Sequence, residues 1–291
     1  MARPAPTKPT VDFANPAGGN CTLTEREFQQ IRELAHARFG LDLRDGKQQL
    51  VAARLGKKIR QGGFASFADY HRHVTADASG QALVELIDAL ATNHTAFLRE
   101  QAHFDLLANV VRAAAGRLPS VWSAACSTGE EPYSIVFTVL TAMSRTPAPH
   151  TPPFVLATDI STKALDRARQ ACFAPDRLST LPEAWKKSYL LKVRGEREGW
   201  QQVRPEIASL IEFRRMNLIE PFRHGRSFDV IFCRNVMIYF DRNTQRDVVN
   251  RLAGCLHPGG YLFVGHSESL SGIEHPLEYV CPAVYRRRAG R

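Results

Sequence analysis

From Val121 onward, short apolar runs recur, each followed by a polar loop or a stretch with helical periodicity. VWSAA (121–125) precedes EEPYSIVFTVLTAM, FVLA (154–157) precedes TDIS and STKALDRARQA, and IEF (211–213) precedes RRMNL. FDVIFC (228–233) precedes RNVMIYF and the helical NTQRDVVNRLAGCL; the turn HPGG then leads to YLFVGH (261–266), and AVYRRR (283–288) reads as a last strand. Strands that are apolar along their whole length are buried on both faces, which happens where crossover helices cover a parallel sheet. This part of the chain is therefore an α/β domain. One stretch departs from the pattern: SYLLKVRGEREGWQQVRPEI has two alternating arms around Gly195 and Gly199, which predicts an antiparallel hairpin inserted at about 188–210.

Residues 22–91 carry no strand signal. Thr24 and Glu27 match a capping box ahead of the stripe Phe28, Ile31, Leu34 and Ala35, which ends near Gly40. Val51, Leu55 and Ile59 repeat at four until Gly62 and Gly63 stop the helix. Ser66 caps a third helix with Phe67, Tyr70 and Val74, and Leu83, Leu86, Ile87 and Leu90 mark a fourth, which together make a small all-α domain. A chain of 291 residues has room for about two domains. The expected division is a tail at 1–20, a helical domain at 21–91, a linker and helix at 92–117, and the α/β domain at 118–291.

The tail, rich in Pro and Gly, is expected to be disordered and has no apolar core of a secretory signal. No run approaches 18 apolar residues, so no membrane insertion is expected. The six cysteines (21, 126, 172, 233, 255 and 281) form no CxxC pair and are read as reduced thiols of a cytoplasmic protein. They and the ten histidines have no ligand spacing, so no metal is expected and His266 is read as structural. The net charge of +9 points to a polyanionic partner or to solubility without choosing between them.

Ligands of parallel α/β sheets bind outside the carboxyl ends of the strands. Here those ends read SAACSTGEE (123–131), ATDIS (157–161), MNL (216–218) and CRNVMIY (233–239). The first is a loop of small residues that lets a ligand touch backbone, but it carries Glu130 and Glu131 where a phosphate site would want none. It also lacks GxGxxG and a Walker lysine. A cationic ligand without pyrophosphate fits better. Asp159, at the end of the second strand, holds the place from which an acid bonds ribose hydroxyls; its plainer reading is an acid at a helix cap ahead of Ser161. A nucleoside bearing a positive charge describes S-adenosylmethionine (SAM).

The strings ATNHTAFLRE (91–100), VWSAACSTGEEPYSI (121–135), ATDIS (157–161), FDVIFCRNVMIYFD (228–241) and LHPGGYLFVGHSESL (256–270) stand in this order. With them the chain resembles the CheR family, the chemotaxis receptor glutamate methyltransferases, over roughly residues 22–288. His94, where the family often has an apolar residue, Cys126, where Ala or Pro is common, and the extra tail depart from it. The resemblance implies a Rossmann-like SAM-dependent methyltransferase domain with an inserted antiparallel β subdomain, behind a small all-α domain. It implies transfer of a methyl group from SAM to glutamate side chains of chemoreceptor cytoplasmic helices, giving glutamyl methyl esters and S-adenosylhomocysteine. Carried over by residue, cofactor contacts fall on Asn93, Thr95, Arg99, Glu130 or Glu131 (with Glu131 favoured), Asp159, Asn217, Leu218, Arg234 and Asn235. Arg99 and Tyr239 match the residues that flank the transferred methyl.

A glutamate with an ordinary pKa of about 4.3 is already an anionic nucleophile at neutral pH, so such a reaction needs alignment more than a general base. On the second helix, Lys47, Arg54 and Lys58 fall within about 40° of one another beside the apolar stripe, with Lys57 about 60° further round. This stripe is the expected receptor-binding surface, since the family places that surface on its helical domain. The hairpin at 188–206, with Arg194 and Arg197, is a candidate grip for a receptor's C-terminal peptide through strand addition. A nucleic-acid methyltransferase is the rival enzyme, but Arg234-Asn235-Val236-Met237 stands where adenine-methylating enzymes carry Asn/Asp-Pro-Pro-aromatic, and no RNA-binding motif is present. A non-catalytic SAM-binding scaffold is the other alternative, against which Arg99, Asp159, Asn235 and Tyr239 stand intact.

Overall fold

The computed structural model describes residues 22–91, 93–114, 116–144, 151–195, 197–222, 225 and 227–289. The tail expected at 1–20 lies outside them. The chain divides into two compact units, Met1–Thr92 and Asn93–Arg291. The stretch expected as a linker and leading helix thus contributes its helix to the second unit.

The first unit holds four helices: α1 (Glu25–Phe39), α2 (Gln48–Gln61), α3 (Phe67–Ala76) and α4 (Gln81–Leu90). The capping box is formed: the Thr24 side chain accepts from Glu27 N and Glu27 returns a carboxylate to Thr24 N at 2.9 Å. Gly40, at φ 68°, ends α1 in the left-handed conformation that favours glycine. Ser66 caps α3 through Asp69 N at 3.0 Å. Most residues of the stripes predicted from spacing are buried: Phe28, Ile31 and Ala35 on α1, Val51, Leu55 and Ile59 on α2, and Leu86, Ile87 and Leu90 on α4, while Leu34 and Leu83 are half-buried at the borders.

The second unit opens with α5 (Gln101–Ala113), followed by β1 (Val121–Ser123), α6 (Glu130–Ala142), β2 (Val155–Asp159) and α7 (Thr162–Gln170). Then come β3 (Cys172–Phe173), α8 (Glu183–Tyr189), β4 (Leu190–Lys192), β5 (Gln201–Val203), the single turn α9 (Pro205–Ala208), β6 (Ile211–Arg215) and β7 (Phe228–Cys233). The chain ends with α10 (Arg242–Cys255), β8 (Leu256–Val264), β9 (Leu277–Cys281) and β10 (Val284–Arg287). The seven-stranded sheet runs β6-β2-β1-β7-β8-β10-β9. Its first five strands are parallel, with Val121 beside both Val155 and Val230, and β10 pairs antiparallel with β8 and β9.

Side chains alternate between two apolar layers: Val230 and Phe232 join Phe104, Phe137 and Phe263 on one side, and Ile231 and Cys233 join Trp122, Val248 and Leu252 on the other. The chain winds outward from β1 through β2 to β6, then returns to the opposite side of β1 with β7. That reversal opens a crevice at the carboxyl ends of β1 and β7, where ligands of such sheets bind.

Two expectations change in detail. The inserted hairpin is formed by β4 and β5, but β3 completes it as a three-stranded antiparallel sheet in the order β3-β5-β4. The HPGG segment is part of β8, whose register with β7 shifts between Phe228 and Val230. There a Cβ on Gly260 would meet Asp229 O and His257 O at 3.0 Å, so the close backbone approach requires glycine.

Candidate active site

The loop after β1 is held from both neighbours, with Ala124 N donating to Phe232 O at 2.7 Å and Cys126 N to Thr158 O at 2.9 Å. Gly129, at φ 102°, begins α6; a Cβ there would lie 3.0–3.2 Å from Ala168 and Tyr133, so α6 can pack against α7 only without one. Asp159 closes the loop. Its Oδ2 accepts from Ser127 N at 2.8 Å and its Oδ1 from Ser161 N at 2.9 Å, so the carboxylate ties the end of β1 to the start of α7. Both carboxylate oxygens thus have backbone donors, as the plainer reading of an acid ahead of the helix cap expects.

Glu130 and Glu131, at the start of α6, are buried and turned to internal partners. Glu130 Oε1 accepts from Arg177 Nε at 2.9 Å and from Arg177 Nη2, and its Oε2 accepts from Thr128 Oγ1 at 2.7 Å. Arg177 also donates to Thr95 O at 3.0 Å, which binds the segment at 93–99 to α6. Glu131 accepts from Ser123 Oγ at 2.7 Å and from Arg234 Nη1 at 2.9 Å. Burial pushes the Glu131 carboxyl upward against the opposing pull of Arg234 and Ser123. Arg234 itself is buried, with Nη2 2.9 Å from Glu100 Oε2 and donating to Arg99 O at 2.5 Å. Three of the expected cofactor contacts, Glu130, Glu131 and Arg234, thus form the frame that fixes the segments carrying the others.

Those others lie on the segment before α5 and at or just past the ends of β2, β6 and β7. Asn93 and Arg99 are half-buried on the segment before α5; Ser127 Oγ donates to Asn93 O at 3.3 Å, and Arg99 Nη1 donates to His94 O at 3.1 Å. Asn217 follows β6, where Met216 N donates to Asp159 O at 3.0 Å, while Leu218 is buried in the apolar layer. Asn235 and Tyr239 follow β7, both half-buried, Tyr239 at the end of the short 3₁₀ turn Met237–Tyr239.

The backbone here is costly. Among the described residues, Leu98, Glu100, Ser127 and Asn235 are four of seven non-glycine residues with positive φ, at 49–61°. Such conformations persist where surrounding contacts over-determine them, and they gather at functional sites. Leu98 N donates to Ser134 Oγ at 3.0 Å, Ser127 N to Asp159, and Asn235 N to Glu268 Oε2 at 2.7 Å.

Glu268 and Arg177 escaped the sequence reading. Glu268, in the loop after β8, also accepts from Gly265 N at 2.6 Å and Ile238 N at 3.2 Å, so one buried carboxylate gathers the turn that carries Asn235 and Tyr239. Burial raises its pKa, and backbone donors at Gly265, Asn235, Ile238 and Met237 pull it back. The signal was present as an acid among small residues just past a parallel strand. Arg177 had none, because its partner Glu130 lies 47 residues away.

In the helical unit the basic stripe divides. Arg54 is half-buried and donates to Leu90 O, and Lys58 binds Glu85 at 2.5 Å, so both fasten α2 to α4. Lys47 and Lys57 are exposed. The four cations therefore do not form one row open to solvent. Their closeness to the apolar arc brought two of them against the neighbouring helix.

Residues 26–91 match the all-alpha domain of CheR methyltransferase, and residues 93–284 match its SAM-binding domain. The chain is 41% identical over 266 residues to Chemotaxis protein methyltransferase 2 of Pseudomonas aeruginosa, covering 90% of this chain and 93% of that one. It is 35% identical to the Chemotaxis protein methyltransferase of Borreliella burgdorferi, covering 92% and 96%, and 40% identical to that of Salmonella typhimurium, covering 90% of each. The small-residue loop after β1, the acid closing β2 and the polar groups at the mouth between β1 and β7 thus stand in a SAM-binding domain, and the chain belongs to the CheR methyltransferase family.

Proposed function

We propose that this protein is a protein-glutamate O-methyltransferase of the chemotaxis or a related chemosensory system, acting in the cytoplasm on glutamate side chains of chemoreceptor helices. The observation that carries the reading is the strained segment bearing Arg99, fixed by Arg234 at the mouth of the crevice, in a chain akin to chemotaxis methyltransferases over nine-tenths of its length. The donor set suits SAM. Asp159 ends β2, the place from which an acid bonds ribose hydroxyls, Ala124 and Ala125 leave the backbone approachable, and acids rather than lysines open α6. Glu130, Glu131 and Arg234 support these contacts as a frame, while Asn93, Thr95, Asn217, Leu218 and Asn235 border the ligand.

When bound, SAM supplies an activated methyl on a sulfonium leaving group. Arg99 then holds the substrate carboxylate. Its Nη1 is used on His94 O, and a guanidinium with five N–H donors still offers a pair for bidentate binding. Tyr239 orients the attacking oxygen. The substrate is anionic at neutral pH and no proton need move, so the contribution of these residues is alignment, worth up to about 7–11 kcal/mol in favourable cases.

Docking falls to two further places. Lys47 and Lys57 face an acidic receptor helix, with Arg54 and Lys58 setting the pose of α2. β4, an edge of the three-stranded sheet with exposed Leu191 and Lys192 beside Arg194 and Arg197, accepts an extended receptor C-terminal peptide as an added strand. The test is incubation with radiolabelled SAM and either receptor-containing membranes or RNA. Label on receptor that base releases as a volatile product supports the carboxyl ester, and Arg99→Ala should lose transfer more than SAM affinity. Base-stable label, or label in RNA alone, overturns the reading.

A further inference from the structure

We propose that Glu100, His103 and His266 form a three-ligand site for one zinc-class divalent ion, which ties the start of α5 to the loop after β8. The two elements are distant in sequence and meet here. Glu100 caps α5 in the left-handed conformation, His103 lies one turn on, and His266 follows β8. Glu100 Oε2 is 3.4 Å from His103 Nδ1 and 3.8 Å from His266 Nε2, and one donor atom from each of the three residues lies within 4.8 Å of the other two. Bonds of about 2.0–2.1 Å in a tetrahedral site place ligand atoms about 3.3 Å apart. One pair already stands close to that spacing, and the exposed His266 ring can close the rest.

A second observation points the same way. His103 is 2% exposed, yet neither of its ring nitrogens has a hydrogen-bond partner among the described residues. Buried polar atoms are seldom left so, and a bound ion is one of the ordinary reasons.

Arg234 is the competing cation at Glu100. It is anchored independently by Glu131 at 2.9 Å and by Arg99 O, so it can yield its share of Glu100 without leaving its place. Glu100 and Glu131 together outweigh its charge. Two imidazoles and one carboxylate suit zinc, cobalt or nickel rather than magnesium or calcium, which take oxygen ligands. His266, with 54% of its side chain exposed, leaves a fourth position open to water.

The test is direct metal binding and does not depend on the methyl-transfer reading. Chelator-treated, re-dialysed full-length protein is titrated with Co²⁺, reading the visible bands of tetrahedral Co²⁺, and then with Zn²⁺ in competition. One equivalent is expected, displaced by Zn²⁺, with affinity lowered by about tenfold or more in His266→Ala and in Glu100→Gln. His266 is exposed, so the His266→Ala fold is readily checked by circular dichroism. Absence of stoichiometric binding, affinity unchanged in folded His266→Ala, or thiolate charge-transfer bands that put the ion on cysteine would each overturn the site.

Discussion

Replacing Glu268 by Gln exchanges a carboxylate for a group that can accept hydrogen bonds through one oxygen only. Glu268 Oε2 takes two short bonds, from Asn235 N at 2.7 Å and Gly265 N at 2.6 Å, and Oε1 takes Ile238 N at 3.2 Å. Whichever way the amide turns, its NH₂ faces backbone N–H groups. The favoured rotamer keeps its oxygen on the two short bonds and loses the weaker side. It also turns charge-assisted bonds into neutral ones, which are roughly half as strong. Little relaxation is possible, because a Cβ on Gly265 would already lie 2.5 Å from Asn235 Nδ2 and 2.8 Å from Glu268 Oε2. Bonds to charged groups contribute about 1.5–3 kcal/mol each, and relief of the burial penalty on the carboxylate returns part of the loss. The net local cost is about 2–4 kcal/mol. At 1.4 kcal/mol per factor of ten, amide protection at Asn235, Ile238 and Gly265 should fall by about 30- to 700-fold. Receptor methylation should fall with it, since a displacement of about 1 Å at the reacting centre can cost about 10²-fold. Hydrogen exchange resolved to single amides reads the first effect without reference to any substrate. Unchanged protection at these three amides in folded Glu268→Gln would refute the assignment of Glu268 as the clamp of this turn.

Asp229 sets a pH dependence of stability. Burial would raise its pKa, but the bidentate Arg117 (2.7 and 3.0 Å), the Ser120 N–H at 2.8 Å and the Arg117 charge hold it below the usual carboxylate range. Its contribution is therefore complete above the unfolded value of about 3.9 and is lost as pH falls through the lower folded value; Asp229→Asn should flatten the acid limb of Tm against pH. Burial pushes the Cys126 and Cys233 thiols well up, and nearby carboxylates add to the effect, so neither should react with a thiol reagent at mildly alkaline pH until the protein unfolds. Charge reversal of Lys47 and Lys57 should raise the KM for receptor at low salt and leave Tm nearly unchanged, whereas reversal of Arg54 and Lys58 should lower Tm by severing α2 from α4. Equal Tm losses in both pairs would remove the distinction.

What the sequence made legible is what repeats locally. The Thr24 capping box, the period-four stripe of α2 and the apolar runs of β1, β2 and β7 each fix an element within a few residues, and strand ends in a parallel sheet indicate where polar groups will gather. β9 was missed because its central residues are exposed, Tyr279 at 64%, and an exposed edge strand carries no apolar run. Partnership across long separations was not legible either. Glu130 and Glu131 look alike as ligands in a loop read by itself, and only the return of Arg177 and Arg234, 47 and 103 residues later, turns them inward. The same holds for α2. The angular reading put Arg54 and Lys58 beside the apolar arc correctly, but a residue at the border of an apolar face meets whatever packs on that face. Here that is α4, with the carboxylate of Glu85 and the carbonyl of Leu90, one of the last four that a helix leaves unpaired. Border cations on an amphipathic helix should therefore be expected first at the acids and open C-terminus of the helix packed beside them, and only those beyond the border at a partner.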